Sequence, residues 1–486
     1  MEIIKVTKLN EVYNKIECEP GIGYELNDYF TFEVPGAKFM PAYKNKVWDG
    51  KIRLYNLMTS TLYGGLLPYV EKFCEERKYQ IEYGSTFTQD NFSVNEAKKY
   101  IKSLNLPEKF VPRDYQLDAL VHAIRSRRAV LLSPTASGKS FIIYLLIRYY
   151  SKKTLVVVPT TTLVHQMTTD FEDYGYDKPV HKIYAGQTKD TQEDITVTTW
   201  QSIYKMPKEW FDQFDVVIGD EAHNFKAKSL ATIMSNLENC RYRFGFTGTL
   251  DGTQTHKLVL EGLFGPVRKV ITTAELIDQN HVSQFKIKAI VLDHDKEVKA
   301  ALRKVSSDKR YQAEMDYIVQ SKKRNNFIKN LALSLEGNTL VLFQYVDKHG
   351  KVLYDMIKEE ADCKVFFIHG SIDGSERDRI RGVIEKEKKS INIASFGTFS
   401  TGINIPSIEN IIFATAYKSK VRTLQSIGRG LRKSTTKTSA TLFDIADDMS
   451  YGSGMDNKNI LIRQFMERVK IYNEEQFSYK IYKVTL

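Results

Sequence analysis

Twice along this chain of 486 residues, short apolar runs alternate with helical stretches, and this repeated alternation constrains the fold most. The first set of runs is Ala129–Ser133, Thr154–Pro159, Asp194–Thr199, Asp215–Asp220 and Arg243–Thr247. The second is Asn338–Tyr345, Lys364–His369, Asn392–Ser395, Asn410–Ala414 and Ser439–Asp444. Runs this short and this apolar predict strands buried on both faces, which requires helices above and below a parallel sheet. The chain therefore reads as α/β, with two doubly wound parallel-sheet domains in tandem at 110–275 and 323–450. Residues 276–322 are expected to connect them.

The flanks differ. Residues 1–100 read as a small α/β domain. In it, Gly23–Phe32 and Leu67–Tyr79 have helical spacing, and Gln80–Tyr83 suits a closing strand. Val47–Tyr55 reads as a hairpin, because Asp49-Gly50 is a favoured two-residue turn. A linker is expected near Ser93–Val111. Residues 451–486 form a short C-terminal extension. It carries a helix marked by Leu461, Phe465, Val469 and Tyr472, then an alternating segment, Phe477–Val484.

Composition narrows the class. Hydrophobic residues at 42% and charged residues at 27% suit a soluble protein with true cores. The net charge of +11 favours an anionic partner such as nucleic acid, although it equally suits a solvated basic surface. Cys18, Cys74, Cys240 and Cys363 are far apart, so neither a zinc knuckle nor a disulfide framework is expected. That usage fits a reducing compartment. The first residues do not resemble a signal peptide, and no apolar run is long enough to span a membrane.

The chemistry begins at Ser133-Pro134-Thr135-Ala136-Ser137-Gly138-Lys139-Ser140, between an apolar strand and a helix. Backbone N–H groups at such a helix start point at phosphates, and the helix dipole adds positive potential. Lys139 would hold the β- and γ-phosphates of ATP, and Ser140 would place its hydroxyl on Mg²⁺. Ser133 stands where the general phosphate-loop pattern has glycine. Asp220 and Glu221, at the end of a later strand, suit a Mg²⁺ ligand and a general base. An acidic cap on the next helix is the simpler alternative for that pair. Upstream, Arg113, Tyr115 and Gln116 precede the first helix. The Gln116 amide could read an adenine edge and Tyr115 could stack on the base, or the three could form only a helix-start turn.

The ordered set then resembles a family. Arg113-Asp114-Tyr115-Gln116, the phosphate loop, Pro159–Gln166, Asp220-Glu221-Ala222-His223, Thr247-Gly248-Thr249 and Gln425–Arg432 follow the motif order of superfamily-two helicases. The resemblance implies that the two α/β domains are RecA-like. It implies that Gly402 and Asn404 contact ATP and the nucleic-acid backbone. It gives Gln425, Arg429 and Arg432 positions facing ATP, with Arg429 or Arg432 as arginine finger. Three-residue spacing also suits a solvated helix face for that pair. More narrowly, Trp48–Leu54, Lys208–Phe214 and Lys418-Ser419-Lys420 resemble phage recombination helicases of the UvsW type. That likeness implies ATP-dependent unwinding of branched DNA, R-loops and RNA–DNA hybrids in recombination, replication and repair. It also implies Mg²⁺ and action in the cytoplasm of a host cell. A monomer is expected.

Nucleic acid is expected to cross the carboxyl ends of both sheets, held by backbone contacts that ignore sequence. The candidates are Thr160, Thr161, Thr199, Trp200 and Gln201 in the first domain. In the second they are Gln344, His369, Gly370, Thr398 and Thr401. In the N-terminal domain, Lys44, Lys46, Trp48, Lys51 and Arg53 interleave basic and aromatic side chains, which suits phosphate contact with base stacking. There Ile52 and Leu54 are expected to face inward, and Lys51, Arg53 and Tyr55 outward. Two other readings stay open: a duplex-DNA translocase subunit of a restriction-type complex, and a non-unwinding nucleic-acid sensor or annealing factor.

Overall fold

The computed structural model describes residues 2–85, 90–184, 186–250, 252–372, 374–398, 407–415, 419, 423–424, 426–428, 431, 437, 439–452 and 454–486. The residues form two units: Met1–Ser133 with Gly138–Val270, and Pro134–Ser137 with Ile271–Leu486.

The first unit is built on a seven-stranded sheet. Its strands lie in the order His181–Ile183, Ile195–Thr199, Thr154–Val158, Val216–Asp220, Tyr242–Thr247, Arg128–Leu132 and Val267–Lys269. All paired neighbours are parallel. The sequence expects five of these strands to within about a residue at each end. The helix Lys139–Tyr150 is buried from Phe141 through Ile147, as a helix lying under a sheet and other helices must be. Burying those seven side chains contributes roughly 1.5–3 kcal/mol each, which anchors the phosphate loop at the helix start.

The N-terminal domain belongs to the same unit. Its five-stranded sheet joins Tyr55–Asn56, Thr61–Tyr63, Tyr13–Glu17, Ile3–Lys8 and Gln80–Tyr83 in that order. The helices Pro20–Tyr29 and Leu67–Arg77 contribute to its core. The expected hairpin over Val47–Tyr55 is not formed. Lys51–Arg53 instead pairs antiparallel with Thr31–Glu33, so its partner lies earlier in the chain. Asp49-Gly50 does turn, with Gly50 at φ +80°, but it joins the short helix Pro41–Lys44 to that strand. Tyr55 is buried rather than outward, because it lies in the main sheet. The expected linker holds the helix Val94–Ser103, capped by the reciprocal pair Ser93 and Glu96.

The second unit carries another seven-stranded parallel sheet. Its order is Lys364–Ile368, Ser390–Ser395, Asn338–Phe343, Ile408–Phe413, Ser439–Asp448, Gln284–Asp293 and Tyr479–Thr485. Two segments differ from what the sequence leads one to expect. Residues 276–322 are not merely a connection, since Gln284–Asp293 pairs along its length with Ser439–Asp448. The C-terminal segment is not an appendage either, since Tyr479–Thr485 forms the sheet edge beside Gln284–Asp293. Buried charges pin these late elements. Arg324 donates to Asp447 at 2.7 Å, and His294 meets the same carboxylate at 2.9 Å. Arg468, on the helix Ile460–Glu474, pairs with Asp444 at 2.8 Å, and the Tyr472 hydroxyl donates to that carboxylate at 2.8 Å. Glu314 accepts the Ile460 and Leu461 N–H groups at the start of this helix.

Candidate functional site

The phosphate-loop sequence sits at the carboxyl end of Arg128–Leu132. Ser133 is buried and its N–H donates to the Thr247 carbonyl at 2.8 Å, which ties the start of the loop to the end of the strand Tyr242–Thr247. The loop then turns through left-handed residues, Ala136 at φ +68° and Gly138 at φ +79°. For alanine that conformation costs roughly 1–2 kcal/mol, and such strain clusters where backbone N–H groups must point inward together. The Pro134 carbonyl accepts from both the N–H and the Oγ of Ser137, at 3.3 and 2.6 Å. Thr135 lies half-buried in the same turn. Lys139 opens the helix, and its Nζ donates to the Ser133 carbonyl at 3.3 Å.

Arg113, Tyr115 and Gln116 border this loop, but in a different way from the one expected. Gln116 is buried, and its Oε1 accepts the Arg113 N–H at 2.9 Å, capping the helix Asp114–Ser126. Its amide nitrogen covers Gly138 so closely that a Cβ there would lie 2.4 Å away. Tyr115 is buried too, and its hydroxyl accepts from Arg113 at 2.8 Å. Its ring therefore does not present an open stacking face.

Asp220 ends the strand Val216–Asp220, beside the phosphate loop in the sheet's carboxyl edge. Burial, and then the charge of Glu221, push its carboxyl up to about 6, against the pull of the Lys139 ammonium. Its Oδ1 is buried with no hydrogen-bond partner among the described residues. A hard cation would satisfy that oxygen, and Mg²⁺ is commonly held by one or two carboxylates plus phosphate oxygens. The Asp220 carboxylate thus fits Mg²⁺, while the Ser140 hydroxyl lies 2.9 Å from the Tyr174 hydroxyl.

Glu221 adopts φ +50°, a left-handed conformation that starts the turn Ala222–Lys226. His223 holds this turn from the side. Its Nδ1 lies 3.3 Å from Glu221 Oε2 and 2.9 Å from Thr247 Oγ1. Thr247 Oγ1 in turn donates to the Thr249 carbonyl at 3.1 Å. The acidic pair and the Thr247-Gly248-Thr249 turn are therefore one hydrogen-bonded cluster. That geometry outweighs the simple helix-cap alternative, because Glu221, at the N-cap of the short 3-10 helix Ala222–Lys226, makes no side-chain cap hydrogen bond, and the next α-helix, Lys228–Asn236, has Ala227 at its N-cap.

A cleft of about 610 Å³ opens at the carboxyl ends of neighbouring strands in the same sheet. It is lined by Thr160, Thr161, Thr199 and Gln201, four of the residues the sequence proposes for nucleic acid. Thr160 caps the helix Thr161–Asp173, and the Thr199 hydroxyl meets Ser202 Oγ at 2.9 Å. Trp200 is half-buried and lies against the core below. Sequence reasoning missed Tyr184, Gln187 and Lys189, which also line the cleft. The strand before them, His181–Ile183, is only three residues long and gave too short an apolar run to read.

In the second unit, Gln344 follows the strand Asn338–Phe343, and its Oε1 is buried without a partner among the described residues. His369 packs on the Phe367 ring at 4.9 Å. Gly370 and Thr398 come together: a Cβ on Gly370 would lie 3.9 Å from Thr398 Oγ1. Thr401, Gly402, Asn404, Gln425, Arg429 and Arg432 lie outside the described residues. In the N-terminal domain Lys44, Lys46, Lys51 and Arg53 are all exposed. The Trp48 indole donates to the Lys51 carbonyl at 2.8 Å, and Arg53 pairs with Asp49 at 2.5 Å. Phe39 and Val47 stand beside them, 71% and 81% exposed, so this surface is both basic and apolar.

Among the described residues no three His, Cys, Asp or Glu side chains cluster as a metal site, and no helix is long and apolar enough to cross a membrane. Three family models match the chain. They are the res subunit of type III restriction enzymes over 109–252, the N-terminal domain of DNA helicase UvsW over 3–83, and the helicase conserved C-terminal domain over 322–434. The ATP-dependent DNA helicase UvsW of Enterobacteria phage T4 is 36% identical over 97% of both chains. The crystal structure of T4 UvsW superposes with a TM-score of 0.52, covering 99% of each chain at 33% identity. A DNA 3'-5' translocase, XPB2 of Sulfurisphaera tokodaii, is 23% identical over 83% of this chain and 93% of its own. With that identity sustained along nearly its whole length, the chain belongs to the UvsW family of superfamily-two helicases.

Proposed function

We propose that the protein is an ATP-dependent DNA helicase that tracks along one strand and opens branched, forked or R-loop DNA, including RNA–DNA hybrids. The observation that carries the ATP-driven part is the buried, unpartnered Asp220 oxygen beside Lys139 and Glu221. A carboxylate held this way is costly unless a cation arrives with the substrate. The relatives named above support the choice of DNA.

In this reading Lys139 and the N–H groups of Thr135 through Ser140 bind the β- and γ-phosphates. Bound Mg²⁺, held by Ser140 and Asp220, would neutralise phosphate charge. Glu221 takes a proton from the attacking water as its oxygen bonds to the γ-phosphorus and the bond to the bridging oxygen breaks. A placed general base of this kind contributes roughly 10²–10⁴ in rate. His223 orients Glu221 and ties it to Thr247. Arg113, Tyr115 and Gln116 support the loop from its flank. Gly402, Asn404, Gln425, Arg429 and Arg432 are assigned to the ATP site by family pattern, with Arg429 or Arg432 stabilising transition-state charge.

For DNA, the cleft at Thr160, Thr161, Thr199 and Gln201 would hold backbone phosphates, joined by Gln344, His369, Gly370, Thr398 and Thr401 in the second domain. The exposed Lys44, Lys46, Lys51 and Arg53 would grip phosphates near a junction, with Trp48 beside them. A forked duplex with a labelled strand tests the proposal. Strand release should need ATP and should vanish in Glu221→Gln. Release at the wild-type rate by that variant would refute it.

A further inference from the structure

One helix, Gln254–Phe264, is shared between the N-terminal domain and the hydrolytic turn. On one side it is built into the N-terminal domain. Leu258, 2% exposed, belongs to that domain's core with Val70 and Phe73. The Tyr69 hydroxyl donates to Glu261 Oε2 at 2.6 Å, and Glu261 Oε1 accepts the Val267 N–H at 2.9 Å. The backbones touch: a Cβ on Gly65 would lie 1.8 Å from the Glu261 carbonyl oxygen. Only glycine permits that approach.

On the other side the same helix holds the turn that carries Glu221. His256 is buried in its first turn, and its Nε2 donates to the His223 carbonyl at 2.9 Å. At its far end Phe264 meets Phe225 edge to face, with centroids 5.1 Å apart. Gly219, just before Asp220, admits these rings with no room to spare, since a Cβ there would lie 2.8 Å from each. A close-packed interior has no slack to absorb a shift of such a helix. Moving it must therefore move the His223 backbone, and with it the ring that contacts Glu221 and Thr247.

We infer that the helix Gln254–Phe264 couples DNA on the N-terminal domain to ATP hydrolysis, with His256 as the positioning residue for the turn Glu221–His223. This rests on the reading that Glu221 works on ATP and that the N-terminal domain grips branched DNA. Ile52, between Lys51 and Arg53, packs on the same core as Leu258, so packed contacts run from those basic residues to Glu221, a route by which side chains can carry coupling. A fork bound by the N-terminal domain then changes turnover by adjusting the base, not by adding a contact to ATP.

The test compares kcat for ATP at saturating forked duplex with kcat at saturating single-stranded DNA, using the full chain. The wild-type ratio should exceed one. Tyr69→Phe removes only a hydroxyl. It should leave DNA-free turnover unchanged and bring the fork ratio down towards one, by up to about fivefold, the effect of one lost hydrogen bond. His256→Ala should lower the same ratio, and His256→Gln, whose amide can donate at similar reach, should restore it. Rescue by glutamine separates positioning from simple packing. A wild-type ratio of one, an unchanged ratio in Tyr69→Phe, or no rescue in His256→Gln overturns the inference. Replacing Lys44, Lys46, Lys51 and Arg53 by Ala keeps the two readings apart. Unchanged fork affinity there sinks the DNA-binding reading. Lost affinity with an unchanged Tyr69→Phe ratio sinks the coupling alone.

Discussion

Asp220→Asn should make the nucleotide-free protein more stable while abolishing its ATP turnover. The folded carboxyl is pushed up to about 6 from an ordinary value of 3.8, so the fold binds the proton more tightly than the unfolded chain does. Stability therefore falls as pH rises through this window. The contribution is fully present below 3.8 and lost once pH passes about 6. At pH 7.5 the cost of ionising Asp220 in the fold comes to about 3 kcal/mol, because each tenfold change in proton affinity is worth about 1.36 kcal/mol. Asparagine keeps the shape and removes the charge. Most of that cost should appear as a gain, or about 6–12 °C in the unfolding of the first unit. At pH 5 the gain should shrink to about half, because the native carboxyl is then protonated. The assay is thermal unfolding of both proteins without nucleotide at pH 7.5 and pH 5, beside a turnover assay. A less stable variant at pH 7.5, or the same gain at both pH values, would show that ionising Asp220 does not strain the fold.

Other outcomes follow from the same geometry. Glu221→Gln should lose roughly 10²–10⁴ in turnover yet keep nucleotide affinity in a binding titration, while Lys139→Ala should lose both. Replacing Lys44, Lys46, Lys51 and Arg53 together by Ala should weaken fork binding and flatten its salt dependence, by up to about 0.9 in slope per lost phosphate contact. Arg324→Ala removes the guanidinium from the buried Asp447 carboxylate, leaving it only His294, and should destabilise the second unit by about 3–5 kcal/mol in denaturant unfolding. Gly138→Ala should abolish turnover, since a Cβ would strike Gln116 and the residue is left-handed.

Legibility in the sequence followed how local each signal is. Continuous apolar runs such as Thr154–Val158, buried at every position, mark central strands without help from context. The strand Gln284–Asp293 escaped because its first half alternates, with Phe285 and Ile287 inward and Lys286 and Lys288 outward. Its partners lie more than a hundred residues later, so only the alternation could have betrayed it. The Asp49-Gly50 turn was legible, but not its consequence, since the strand partner Thr31–Glu33 is set by tertiary packing. At the site, Lys139, Ser140, Asp220 and Glu221 were read from types and spacing. His256 was not, because a lone histidine after a turn has no pattern. Gln116 was read as a partner for adenine, and its hydrogen bond to Arg113 and its closeness to Gly138 could be seen only in three dimensions.

If ATP hydrolysis at Lys139, Asp220 and Glu221 drives strand separation of branched DNA, strand displacement shows it directly, on a forked duplex, a four-way junction, an R-loop and a plain RNA duplex, each with and without ATP. Release should depend on ATP for the first three and be far weaker for the RNA duplex. ATP consumption without release from any DNA substrate would mean that hydrolysis does not separate strands and would favour a duplex translocase.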